Sequence, residues 1–126
     1  MRGLIADQRP SVRAALRAVL EHDPLCEGID EAVEARGALE ALAFGADVLL
    51  VEWGLPGLSP AALLALAREH HADIVIVALG RYSAARDWSL AAGADFYIDT
   101  TEPVANFIGL VHELCAFTGR PIAPAA

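Results

Sequence analysis

The feature that most constrains this chain is an unbroken alternation of two kinds of segment. Five short apolar runs are each followed by a stretch with helical spacing. Gly3-Leu4-Ile5-Ala6 ends at Asp7. Pro10 then suits a first helical turn, and Val12, Ala15, Leu16, Val19 and Leu20 recur at helical intervals until Pro24 stops them. Leu25 to Ile29, with Cys26 inside, reads as a weak second strand. Asp30 is placed to cap a helix over Glu31–Phe44 with Ala32, Ala35, Leu39 and Leu42 on one face. Asp47 to Val51 is a continuous apolar strand of the kind buried on both faces, ending at Glu52. A loop with Gly54, Pro56 and Gly57 leads to Ser59-Pro60, a cap followed by a proline, and to a helix with Leu63, Leu66 and Ala67 inward. Ile74 to Val77 forms the fourth run, ending at Ala78. A helix from Tyr82 to Ala92 stops at Gly93, and Phe96-Tyr97-Ile98 is the fifth strand. Pro103 starts a last helix with Val104, Phe107, Leu110, Val111 and Leu114 inward.

Strand–helix alternation of this kind predicts a parallel sheet covered by helices on both faces. At 126 residues the chain fits one domain, expected over 1–118, with a frayed Pro- and Ala-rich tail at 119–126. In such sheets ligands and chemistry sit beyond the carboxyl ends of the strands. The residues expected there are Asp7 and Gln8, Glu52, Ala78 and Thr100.

Charge narrows the partners. The net charge is −8, and all nine basic residues are Arg, scattered along the chain. That disfavours direct nucleic-acid binding, which needs clustered positive charge. No apolar run reaches the ~18–20 residues of a membrane helix, and the amino terminus lacks a signal-peptide pattern. Two cysteines, Cys26 and Cys115, do not make a disulfide framework; they are expected as buried thiols in a cytoplasmic protein.

Three segments resemble the receiver domain of bacterial two-component response regulators. They are Ala6-Asp7-Gln8-Arg9-Pro10, the stretch from Asp47 through Glu52 to Pro56-Gly57, and Ala92-Gly93-Ala94-Asp95-Phe96-Tyr97. The resemblance covers almost the whole chain. It implies a flavodoxin-like, doubly wound α/β fold with strand order 2-1-3-4-5 and five helices on both faces. It also implies phosphotransfer from a histidine kinase to an acceptor at position 52. Mg²⁺ would be held by acids after the first strand, by the acceptor and by a loop carbonyl for which Gly54 stands. A hydroxyl at position 78 and a lysine at position 100 would grip the phosphoryl oxygens. Tyr97 takes the place of the aromatic that changes rotamer with state.

The residues at those positions depart from the pattern. The acceptor position holds Glu52, the second acid is Gln8, the hydroxyl position is Ala78 and the lysine position is Thr100. Glu52 is one methylene longer than Asp, and in-line transfer tolerates little misplacement, with ~1 Å costing about 100-fold. Gln8 offers a neutral oxygen where Mg²⁺ prefers carboxylate, Ala78 cannot hydrogen-bond a phosphoryl group, and Thr100 carries no charge. No cofactor is therefore expected, with Mg²⁺ bound weakly at most.

Three readings of Glu52 stand: a drifted surface carboxylate, a stand-in for an activated state, or a residue of a new binding role. Arg9 or Arg81 is a candidate counter-charge for it. Asp7 reads as a helix N-terminal acid or as the remnant of a cation site. Trp53 reads as a groove-lip anchor or as partly buried over the third helix. Trp88 shares a face with Ala84, Ala91 and Ala92 and is expected in the core. His70 and His71 fall at the wrong end of the sheet for chemistry, and neither His22 nor His112 has companions at metal-ligand spacing.

Two functions remain. One is a pseudo-receiver: a phosphorylation-independent interaction module binding a signalling protein or a second copy of itself. Its face would be the fourth helix, fifth strand and fifth helix, lined by Arg81, Arg86 and Leu90. The alternative is a small-ligand-binding domain on a flavodoxin-like scaffold. Against the alternative stands the lack of a phosphate-cradling loop after the first strand. No nucleophile–base pair is visible, so no enzymatic activity is expected.

Overall fold

A computed structural model describes residues 1–103 and 108–118. The chain runs β1 (Arg2–Ala6), α1 (Pro10–Glu21), β2 (Gly28–Ala32), α2 (Ala35–Leu42), β3 (Val48–Glu52), α3 (Pro60–His70), β4 (Val75–Gly80), α4 (Ser83–Ala91), β5 (Phe96–Asp99) and α5 (Ile108–Thr118). The strands form one sheet in the order β2-β1-β3-β4-β5, and every neighbouring pair is parallel. This is the expected doubly wound α/β architecture.

The period of two along each strand divides the core into two layers. Leu4, Leu49, Val51 and Ile76 face α2 and α3, meeting Ala38, Leu42, Leu63 and Leu64. Ile5, Leu50, Val77 and Leu79 face the other side, where Leu16 and Leu20 of α1 and Leu114 of α5 cover them. The continuous apolar run in β3 serves both layers at once, and Val48 through Val51 are all buried. At α3 the Ser59 hydroxyl accepts from the Ala62 amide at 3.3 Å, satisfying one of the helix's unpaired donors. Gly93, with φ of 111°, follows α4 in the left-handed conformation that suits a residue without Cβ.

The second strand lies further along the chain than its sequence signals indicate, and the second helix is shorter at both ends. Leu25 and Cys26 form a turn, with their amides bonded to the Asp23 carboxylate and carbonyl. Cys26 is only partly buried and lies outside the strand. Asp30 does not cap a helix; it sits in β2 opposite Leu4, and Arg2 reaches its carboxylate at 3.3 Å. Glu31 and Ala32 are strand residues too, and the Glu31 carboxylate is held by both Arg13 and Arg17. Arginines from β1 and α1 thus neutralise the acids of an edge strand. The cap of α2 is Glu34, which accepts from the Arg36 and Gly37 amides.

Two further expectations change. β4 continues past Ala78 to Gly80. Trp88 is 65% exposed, because α4 turns Ala85 and Ser89 inward instead. Of the residues expected inward on the last helix, Leu114 is buried and Leu110 packs partly against the same core layer. Val104 and Phe107, the Val111 and Cys115 side chains and the 119–126 tail lie outside the described residues.

Candidate functional site

Asp7 ends up at the carboxyl edge of the sheet because β1 finishes at Ala6, and its side chain is fully buried. A buried carboxylate needs a counter-charge. Arg9, two residues on, supplies it as a fork: Nε reaches Oδ1 at 2.9 Å and Nη2 reaches Oδ2 at 2.7 Å. The Arg9 amide also donates to Oδ1 at 2.8 Å. The remaining guanidinium nitrogen, Nη1, donates to Thr100 Oγ1 at 3.0 Å. One side chain therefore ties the end of β1 to the residue after β5. The Asp7 hydrogen bond, with help from the Asp7 and Glu52 charges, raises the Arg9 pKa against an opposing desolvation.

Glu52 is occupied differently. Its Oε1 accepts the Gln8 amide at 2.8 Å, and the Gln8 side-chain nitrogen lies 3.4 and 3.2 Å from the two carboxylate oxygens. The direct partner of Glu52 is Gln8. Of the two candidate counter-charges, Arg9 acts on Glu52 through its charge alone, its hydrogen bonds going to Asp7 and Thr100, and Arg81 makes no bond to Glu52. Every oxygen of the two crevice carboxylates thus accepts at least one protein N–H. Mg²⁺, which takes oxygen ligands in near-octahedral array, would have to compete with Arg9 and Gln8 for these oxygens. Among the described residues no group of three or more His, Cys, Asp or Glu could hold a metal.

Ala78 is placed in the sheet interior, fully buried and packed in the core layer with Val51 and Tyr97. The crevice floor is made instead by Leu79 and Gly80. Thr100 fixes that floor twice, its amide and hydroxyl bonding the Gly80 carbonyl at 2.8 and 3.1 Å. Tyr97 packs across Gly80 so closely that a Cβ there would lie 2.5 Å from the phenol oxygen. The phenol donates to the Tyr82 carbonyl at 3.0 Å, pinning the loop between β4 and α4. Burial, reinforced by the Asp99 charge, pushes the Tyr97 pKa up. Bonds from Thr101 pull the Asp99 pKa down.

Beyond the floor lies a groove of about 490 Å³, lined by Arg9, Glu52, Trp53, Arg81, Tyr82 and Trp88 among others. Trp53 is half-buried and packs on the core layer of α2 and α3, while Tyr82 is 70% exposed. Arg81, Arg86 and Leu90 are all exposed along α4 and the loop before it, and among the described residues neither arginine's guanidinium has a polar partner. The sequence reading did not single out Gly80 or place Trp88 in this groove. For Gly80 the available signal was only a glycine at a strand end; its registered neighbour is Asp99, and Tyr97 reaches it diagonally from opposite Ala78.

The geometry resembles known structures closely. The receiver domain of Francisella response regulator 1452 superposes with TM-score 0.74 at 21% identity, covering 93% of this chain and 98% of that one. A LuxR-family two-component response regulator from Aurantimonas gives 0.78 at 22%, covering 92% and 85%. The RcsB response regulator of Salmonella typhimurium gives 0.79 at 19%, covering 90% of this chain and 60% of that one. The fold is that of a response-regulator receiver domain. No family model matches the chain, and no curated protein matches it. Within the receiver fold, the strand ends that carry Asp7, Glu52 and Thr100 are bridged by Arg9 and Gln8, both from the loop after β1. No helix among the described residues is long and apolar enough to cross a membrane.

Proposed function

We propose that this chain is a signalling receiver that works by contact, without phosphoryl transfer. The observation that carries this reading is the placement of Arg9. Its guanidinium fills the ground between the lone acid Asp7 and Thr100. In the receiver pattern those two positions belong to a metal-binding acid and a lysine. A fixed internal cation there stands in for the metal ion and the lysine ammonium, which phosphotransfer needs to be exchangeable or mobile. The absent second acid at Gln8 and the absent hydroxyl at Ala78 point the same way. Tyr97, pinned over Gly80 onto the Tyr82 carbonyl, fits a domain held in one arrangement.

The working surface in this reading is α4 with β5 and α5. Trp88, Leu90 and Phe96 are exposed there, with Arg81 and Arg86 as uncommitted cations on a chain of net charge −8. An acidic signalling protein or a second copy of this chain is the matching partner.

Mass spectrometry after incubation with acetyl phosphate and Mg²⁺ tests the first half. No phosphoryl adduct is expected; a stoichiometric adduct that disappears in Glu52→Gln refutes the reading. Light scattering across a concentration series tests the second half. Self-association should be lost in Arg86→Glu/Leu90→Asp with unchanged far-UV circular dichroism, and retained within about twofold in Glu52→Ala.

A further inference from the structure

The groove that runs from the crevice toward α4 holds an unusual combination, and it shares Arg81 and Trp88 with the contact face proposed above. Trp53, Tyr82 and Trp88 all line it, and Tyr82 and Trp88 are mostly exposed. Large aromatic surface left open around one concavity marks a binding site more often than a packing defect. Its size, about 490 Å³, lies in the range that encloses small organic ligands. Its walls are preformed. The Trp53 amide donates to the Leu79 carbonyl at 2.7 Å, Thr100 bonds Gly80, and Tyr97 bonds the Tyr82 carbonyl. A ligand entering it therefore pays little to order the protein.

The charges of the lining choose the ligand's sign. Arg9 is balanced by buried Asp7, and Glu52 has its oxygens engaged by Gln8. Arg81 is exposed and its guanidinium has no polar partner among the described residues. An anion is the complement to that side chain, and a planar ring is the complement to the indoles. We propose that this groove is a binding site for a small planar aromatic anion, its ring on the indoles and its acid group on Arg81. Glu52 then acts as a like charge that limits affinity.

The chain contains only two tryptophans, and both line the groove. The two indole N–H cross-peaks of the ¹⁵N-labelled protein therefore both report on it. Titration with 2-naphthoate should shift both peaks saturably, with a dissociation constant on the order of 1 mM or below. Arg81→Ala should weaken binding about tenfold, the loss of one charge-assisted hydrogen bond. Trp88→Ala should weaken it as well, read on the surviving Trp53 peak. Glu52→Gln should tighten it by roughly two- to threefold by removing the like charge. Arg81 and Trp88 are exposed, so both variants should keep the amide dispersion of the parent, which the same spectra check. The proposal is overturned if neither indole peak moves, if Arg81→Ala leaves the affinity unchanged, or if 2-naphthylmethylammonium binds as tightly as the naphthoate.

Discussion

At the carboxyl ends of β1 and β3, Asp7, Arg9 and Glu52 are all paired within the protein. A short distance away, on the loop before α4 and on α4 itself, the guanidinium groups of Arg81 and Arg86 have no polar partner among the described residues and Trp88 stands open. The first region spends its charges on its own geometry; the second offers them outward. Paired buried charge tends to fix one conformation, whereas exposed unpaired charge beside aromatic surface favours encounter. Under the proposed contact function, the open α4 side rather than the crevice is where a partner would be met.

The comparison is tested most severely by removing Arg9. Asp7 is fully buried, so Arg9→Ala leaves a carboxylate in the interior without its counter-charge. Breaking a buried pair from one side costs about 3–5 kcal/mol. Arg9 itself is 22% exposed, which places the expected loss toward the lower end of that range. Arg86→Ala, on the open face, should stay within about 0.5 kcal/mol of the parent. Urea unfolding of the two variants gives both numbers. Equal losses would mean that the crevice is no more committed than the surface.

A middle-sized effect sits at Gly80, where the two regions meet. A Cβ at this position would lie 2.5 Å from the Tyr97 oxygen and 2.8 Å from a ring carbon. Gly80→Ala should therefore force Tyr97 off its bond to Tyr82 and cost about 1–3 kcal/mol, the usual penalty of overpacking. Tyr97→Leu should relieve most of that penalty, so the double variant should be more stable than the sum of the single changes implies. Additive losses would show that Gly80 and Tyr97 are not coupled.

The parts of this arrangement that were legible in the sequence are those set by local rules. The apolar run of β3, the Ser59-Pro60 start of α3 and the Gly93 stop of α4 each depend on neighbours a few residues away. β2 was misplaced because its polarity is satisfied from elsewhere. Asp30 and Glu31 look like helix-start acids until Arg2, Arg13 and Arg17 are folded against them. Trp88 was misread because Ala84, Ala91 and Ala92 suggested an inward face, while α4 buries the smaller Ala85 and Ser89. The positions of Asp7, Glu52 and Thr100 at the strand ends followed from the alternation alone. The bond between Arg9 and Thr100 did not, since the two are 91 residues apart and nothing local pairs them.

The smallest expected effect concerns pH and isolates the Tyr97 pin. Burial raises the Tyr97 pKa above its ordinary value near 10, so folding favours the neutral phenol. In the unfolded chain the phenol ionises first. The stabilising contribution is therefore complete below about pH 10 and is lost as pH rises through the folded-state pKa. The chain contains no lysine and only two tyrosines, and the thiols of Cys26 and Cys115, which also titrate in this range, are common to parent and variant. Urea midpoints at a series of pH values between about 8 and 11 should fall more steeply for the parent than for Tyr97→Phe. The Phe variant also lacks the hydroxyl that bonds the Tyr82 carbonyl, so its midpoint at pH 8 should already be lower. The two curves should therefore converge as the solution becomes alkaline. Parallel curves would mean that Tyr97 ionises alike in both states, and that the pin on the loop before α4 is not a buried one.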